Sequence, residues 1–363
     1  MATRKWSVLT DPWTRHKCLA ACLAAGFASL SYYLTATLNA PVPGERVPNL
    51  EVASPADSEA LAGVTGADLI RPALSRRPAD GDPDAVWGDM THDLQAAAVG
   101  YPGRVAIYLK DLKRGRTWTY QADDLFPSAS LIKVPIMIGV FDKIRAGELS
   151  MDTSLVLRRR DRAGGSGSLK RYRSGSRFTV ARLLANMIDE SDNTATRMLI
   201  DEVGIPYLQQ EFSKLGLVYT EINPEGMSLR SRPVTYENYT TAREMAGLME
   251  RIYDGRAVDV VSSARMLQLM KHLKYRSRLA KGLPPGWKIA HKTGMLRGAC
   301  HDSAIIFAPQ GNYILAVMTG RNKDYYAAKR FITRLGRITY KYYGGASDLY
   351  ARAVVRRPRR SHV

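Results

Sequence analysis

Phe126-Pro127-Ser128-Ala129-Ser130-Leu131-Ile132-Lys133 is the stretch on which the reading of this chain turns. A serine and a lysine stand three positions apart, and the apolar run Val134-Pro135-Ile136-Met137-Ile138 follows. That run predicts a helix from Ser130 to Ala146, ended by Gly147. With Ser130 at its start, Lys133 falls one turn on, on the same face. An amine so placed takes the hydroxyl proton once burial and neighbouring positive charge lower its pKa. The helix N-terminus adds N–H groups aimed at developing negative charge. Alone the pair is weak, because Ser and Lys at this offset occur roughly once by chance in a chain of this length. The plain alternative is an exposed serine beside a solvated lysine. The apolar setting argues for burial.

Two further segments downstream carry chemistry. Ser191-Asp192-Asn193 has the composition of a helix cap, the commonest use of such residues. Its serine also suits relay of a proton to a leaving amine, and Asn193 suits an amide contact with a substrate. Lys292-Thr293-Gly294 closes a predicted strand, Lys288 to His291, before a turn around Arg297-Gly298. Thr293 can donate to a carboxylate there, Lys292 adds positive charge, and Gly294 lets a substrate backbone come close. An extended acyl-amide would pair with such an edge as an added strand. A strand-end turn is the plainer alternative. His291 adjoins Lys292, so its side chain is expected on the opposite face in a structural role.

Around these segments the elements alternate in a definite order. Residues 84–98 predict a helix. Arg104 to Lys110 and Thr117 to Gln121 predict a hairpin around Lys113-Arg114-Gly115-Arg116. Val180, Leu183, Leu184, Met187 and Ile188 recur at helical spacing after Thr179. Thr194 to Val203, Thr241 to Tyr253 and Ser262 to Leu273 predict further helices. Asp302 to Ala308 and Tyr313 to Thr319 predict strands, and Lys323 to Tyr343 a closing helix. Strands at both ends with helices between them predict an α/β fold. Its sheet is antiparallel, flanked by helices from both chain ends, with a mainly helical domain inserted.

The order SxxK, SDN, KTG resembles the penicillin-recognising serine hydrolases, and the surroundings are most similar to class A β-lactamases. The similarity extends through Phe126 to Lys133, through Ser191-Asp192-Asn193-Thr194-Ala195-Thr196 and through Ala290-His291-Lys292-Thr293-Gly294. It covers residues 84–343 and leaves out both ends. The resemblance implies that Ser130 is the nucleophile acylated by a β-lactam and that Lys133 is its base or part of its proton network. It implies that Ser191 is the shuttle to the leaving nitrogen and Asn193 a side-chain amide contact. Lys292 and Thr293 would bind a carboxylate, and the N–H groups of Ser130 and Met295 would form an oxyanion hole, where one lost donor costs a few kcal/mol. Neither metal nor cofactor is expected, and the catalytic domain is expected to be monomeric. The departure is the glutamate that activates the deacylating water in an ExxLN setting. Glu225, in Asn223-Pro224-Glu225-Gly226, stands near the expected distance without the companion asparagine. Glu237 precedes a predicted helix and reads as helix-start electrostatics. The runner-up functions are therefore a DD-peptidase-like or penicillin-binding envelope protein acting on a peptidoglycan-like acyl-amide, or a β-lactam sensor that deacylates slowly.

Composition places the chain without deciding its chemistry. Of 363 residues, 45% are hydrophobic and 24% charged, which is ordinary for a globular protein. The net charge of +19 invites a nucleic-acid reading, but no zinc-finger, RRM-like or KH-like pattern supports one. Three cysteines form no CxxC or paired framework, and six histidines show no metal-binding spacing. Residues 1–40 combine a basic start with an uncharged run, 18–40, long enough to cross a bilayer. A signal peptide and an uncleaved membrane anchor both fit, with Pro41 disfavouring cleavage at Ala40. Either places the chain in the periplasm or another extracytoplasmic compartment. Residues 41–83 read as a Pro/Ala-rich linker, 84–345 as the catalytic domain and 346–363 as a basic tail. A second basic cluster runs from Arg158 to Arg177 around Gly164-Gly165-Ser166-Gly167. It reads as a solvated loop or as an attractor of anions beside the active-site mouth.

Overall fold

The computed structural model describes residues 83–223, 237–272 and 276–344. The expected anchor or signal segment, the linker and the basic tail lie outside these residues, as does Glu225. No helix among the described residues is long and apolar enough to cross a membrane.

Helix α1 (Pro83–Val99) leads into the hairpin β1 (Arg104–Asp111) and β2 (Thr117–Tyr120). A short strand, β3 (Phe126–Pro127), precedes a 3₁₀ turn at Ala129–Ile132 and helix α2 (Lys133–Arg145). The strands β4 (Ser154–Val156) and β5 (Arg177–Thr179) flank the arginine-rich segment. Helices α3 (Val180–Asp189), α4 (Asn193–Val203) and α5 (Ile205–Lys214) follow. Strand β6 (Tyr239–Thr240) pairs back to β3, and α6 (Ala242–Tyr253), α7 (Val260–Lys271) and the single turn α8 (Leu279–Gly282) come next. The strands β7 (Lys288–Leu296), β8 (Ala299–Phe307) and β9 (Tyr313–Gly320) and helix α9 (Tyr325–Tyr343) close the domain.

The main sheet has the order β2-β1-β9-β8-β7, and its paired strands are antiparallel. The sheet is thus built from both ends of the domain, as the sequence predicts, and its first and last strands lie side by side. Strand β9 is buried along its whole length, because both faces of the sheet are covered. Ile314, Ala316 and Met318 point into one core with α2, α3, α4, α5, α6 and α7. Tyr313, Leu315 and Val317 point into the other, with α1 and α9. The period of two in the strand distributes one run of apolar residues between two cores.

Local chemistry sets the element ends. Thr179, Asp192, Thr241, Asp259 and Asp324 each accept a backbone N–H from the first turn of the helix they precede. Two expectations shift. The segment at Ser130 is not the start of an α-helix: Ala129 has a φ of 48°, and the chain passes through a 3₁₀ turn before α2 begins at Lys133. Strand β7 runs on to Leu296, so Lys292-Thr293-Gly294 lies within it and not at its end. The full ladder with β8, down to Leu296 opposite Ala299, carries the strand through the predicted turn.

Helix α8 and helix α9 touch backbone to backbone. A Cβ on Gly336 would stand 2.8 Å from the Leu279 carbonyl oxygen, and one on Gly282 would collide with the Thr333 carbonyl. Gly336→Ala is therefore expected to destabilise the domain by about 1–3 kcal/mol, as overpacking does. Urea unfolding should show a lower midpoint with an unchanged slope.

Candidate active site

The site forms where the 3₁₀ turn, the start of α4 and the edge strand β7 meet. Each arrives by a different device. The turn is held against the sheet by His301 on β8, whose Nε2 lies 2.8 Å from the Pro127 carbonyl oxygen. Its Nδ1 accepts the Thr319 N–H at 3.3 Å, so Nε2 carries the proton and donates to Pro127. Burial pushes the His301 pKa down to about 4, which keeps the ring neutral and that tautomer in place. Gly294 completes the contact. The space its Cβ would take is bounded by Ala129, His301 and Leu131 at 3.2–3.3 Å. The absent side chain thus serves the seating of the Ser130 turn against β7, beyond the approach of a substrate.

The second element is fixed by Asp192, which is fully buried. One carboxylate oxygen accepts Ala195 N–H at 2.9 Å, the helix cap; the other accepts Leu169 N–H at 2.8 Å. Gly167 has a φ of +102°, and a Cβ there would overlap the Asp192 carboxylate. Asn193 ties the same loop down, donating through Nδ2 to Gly164 O at 2.9 Å. Ser191, just before, is held at a φ of 53°. A side chain in that conformation carries a cost of order 1–3 kcal/mol, and the surrounding bonds over-determine it.

These constraints converge on the lysines. Lys133 Nζ donates to Ser191 O at 2.6 Å, to Asn193 Oδ1 at 2.8 Å and to Ser191 Oγ at 3.1 Å. Lys292 Nζ reaches the same Ser191 Oγ, also at 3.1 Å, and Thr293 O at 3.1 Å. Both amines are buried. Burial holds Lys133 well below its ordinary value, and the charge of Lys292 lowers it further against the pull of Asp192. Burial, then the charge of Arg278, brings Lys292 down to about 7, opposed by Asp302 and Asp189. Two amines with weakened hold on a proton therefore flank one hydroxyl, an arrangement suited to moving a proton.

Ser130 opens onto two cavities. One, of about 470 Å³, is bordered by Ser130, Ser191, Arg278, Lys292, Thr293 and Met295. The other, of about 300 Å³, is bordered by Ser130, Lys133, Asn193, Arg197, Glu237 and Met295. Eight of the nine sequence-expected site residues are thereby brought together; Glu225, the ninth, lies outside the described residues.

Three features escaped the sequence. Arg278 is buried at a φ of 50°, donates to Cys300 Sγ at 3.2 Å and Gly294 O at 3.4 Å, and adds a second positive charge beside Lys292. No local motif marks it, because its place depends on the turn before α8. His291 pairs with Asp302 at 2.8 Å, the structural role expected, yet it also borders the larger cavity and so does not face wholly away. Glu237 is not at the start of a helix: Thr241 is the cap of α6, four residues later. Burial raises its carboxyl pKa, opposed by the N–H of Asn238. Asn238, next to Glu237, fastens its backbone to the Ser130 segment, its carbonyl accepting Ser128 N–H at 2.6 Å.

A family model described as the β-lactamase enzyme family matches residues 89–343. The chain belongs to the β-lactamase enzyme family. Its fold is that of the class A enzymes, as the sequence resemblance implies. A β-lactamase from Sphaerobacter thermophilus is similar at 29% identity and a TM-score of 0.65, covering 70% of this chain and 97% of that one. PBP-A is similar at 30% identity and the same TM-score, covering 70% of this chain and 95% of its own. A PBP-A variant held as an acyl-enzyme with penicillin G is similar at 29% identity and a TM-score of 0.64, covering 70% of this chain and 96% of its own.

The lowered Lys292 pKa makes the stability of the domain depend on pH. Above about 7 the folded state has released this proton, while an unfolded lysine keeps it until about 10.5. In that window the unfolded chain binds more protons, so stability rises with pH. Lys133 works in the same direction. Urea unfolding between pH about 7 and about 10 should show this rise, and a smaller one in Lys292→Met.

Proposed function

We propose that this chain is a serine hydrolase that opens the amide of a β-lactam through an acyl-enzyme on Ser130. The observation that carries the reading is Ser191 Oγ, held at 3.1 Å from both Lys133 and Lys292 in the cleft onto which Ser130 opens. Ser130 Oγ attacks the carbonyl carbon and Lys133, as neutral amine, takes its proton. The Ser130 and Met295 N–H groups receive the oxyanion. Ser191 passes a proton to the leaving nitrogen as the C–N bond breaks, and Lys133, 3.1 Å away, restores it with the proton taken from Ser130. Lys292, Thr293 and Arg278 bind the substrate carboxylate, and Asn193 meets its side-chain amide. Water then attacks the ester and releases the acid.

The release step separates this reading from its runner-up, a penicillin-binding or DD-peptidase-like protein acting on a peptidoglycan-like acyl-amide. The ExxLN motif is missing, and PBP-A stands beside a β-lactamase among the similar structures. Two carboxylates are candidates for activating water: Glu225, by its place in the sequence, and Glu237, by its place on the inner cavity wall. An exported, periplasmic setting, with residues 18–40 as anchor or signal, completes the proposal.

A chromogenic cephalosporin and a labelled penicillin test it together. Sustained colour release is expected, and Ser130→Ala should reduce it on the order of a thousandfold or more. A single stoichiometric burst with lasting label assigns the runner-up instead. Neither signal from folded protein rejects acyl transfer altogether. Glu225→Gln and Glu237→Gln form a second prediction: the variant that accumulates labelled acyl-enzyme has lost the water-activating group. Unchanged turnover in either variant removes that residue from the assignment.

A further inference from the structure

The arginine-rich segment between β4 and β5 is not used by the acyl-transfer chemistry, and it is built as a surface. Between residues 158 and 182 stand nine basic residues and a single acidic one, Asp161. Asp161 is buried and spent locally, accepting the Arg158 N–H at 2.6 Å. All eight arginines of the segment are exposed: Arg158, Arg159, Arg160, Arg162, Arg171, Arg173, Arg177 and Arg182. Among the described residues, the nearest carboxylate approach to any of them is Asp161 to Arg160, at 3.8 Å. Such a concentration of unneutralised charge repels itself. The segment stays folded because its backbone is fastened to the start of α4. Ala163 N–H donates to Thr194 Oγ1 at 3.1 Å, Asn193 N–H to Ser166 O at 3.1 Å, and Leu169 N–H to Asp192.

Apolar side chains stand among the charges. Tyr172 is 47% exposed, its ring edge-on to Phe178 at 5.2 Å, and Val156 on β4 is 36% exposed. Arg177 lies opposite Val156 across the β4–β5 ladder. Guanidinium groups that pair with phosphates, beside a tyrosine and an aliphatic side chain, match the boundary of an anionic bilayer. A soluble polyanion would engage the arginines and leave Tyr172 and Val156 without a role.

We propose that the segment from Val156 to Arg177 is a docking surface for an anionic lipid bilayer. The juxtaposition of exposed arginines with Tyr172 and Val156, on a loop bonded to the catalytic helix start, carries it. Arg171 also borders the larger cavity, so docking brings the mouth of the site to the membrane surface. The proposal stands independently of the acyl-transfer reading.

Amide hydrogen exchange on the full chain tests it, with vesicles of phosphatidylcholine alone and of phosphatidylcholine mixed with phosphatidylglycerol. Both basic ends of the chain are retained in the arginine variants below, so any binding they supply is common to parent and variant and cancels in that comparison. Exchange across residues 156–177 is expected to slow several-fold on the mixed vesicles only, and high salt should relieve it. Arg158→Ser, Arg159→Ser, Arg160→Ser and Arg173→Ser combined should abolish the difference while exchange in β8 and β9 stays unchanged, reporting an intact fold. Tyr172→Ser and, separately, Val156→Ser should weaken it. Equal exchange on the two vesicles overturns the proposal. So does equal protection by soluble inorganic polyphosphate with both apolar variants silent, which assigns the surface to a phosphate polymer.

Discussion

Lys133 and Lys292 converge on one hydroxyl, Ser191 Oγ, from two different elements and at the same distance of 3.1 Å. Neither amine has a carboxylate within ion-pair distance among the described residues. Burying two ammonium groups side by side without such partners is costly. The structure meets the cost with dipoles: the Ser191 carbonyl, the Asn193 side-chain oxygen and the Thr293 carbonyl. It also lowers the charge itself, since burial brings both pKa values down. Much of the surrounding architecture exists to hold that arrangement in register.

Asp192 and His301 show how. Asp192 spends both carboxylate oxygens on backbone N–H groups, one in its own helix and one in the loop above, so its charge is near the lysines without pairing either. A direct ion pair would lock Lys133 in its cationic form. His301 does the equivalent for the Ser130 turn, as a neutral ring bridging β9, through the Thr319 N–H, and Pro127. Both residues determine where Ser130 and Ser191 stand.

What the sequence made legible is what depends on near neighbours in the chain. The helix caps at Thr179 and Asp192 and the alternation of the β1–β2 hairpin were readable from local pattern. The three motifs were recognisable because each is contiguous, and the seven site residues drawn from them border the two cavities at Ser130. Arg278 and Glu237 were not readable. Their roles come from a positive-φ turn and from a hydrogen bond between Ser128 and Asn238, 110 residues apart, which no local window contains. The true extent of β7 was missed for a related reason, since pairing with β8 carries the strand through residues that alone suggest a turn.

Strand β7 has β8 on one side and nothing from the main sheet on the other. An open edge of this kind is a template for aggregation between copies. Most folds hide or shorten such an edge, but here Lys292 and Thr293 lie on it. Its defence is at the two ends, where Lys288 and Arg297 are exposed. In an antiparallel pairing of two copies about the middle of the strand, the basic end of one would meet the basic end of the other. The charge that repels a second copy sits away from the centre of the strand, so one row of backbone groups refuses its own kind while its middle still borders an open cleft.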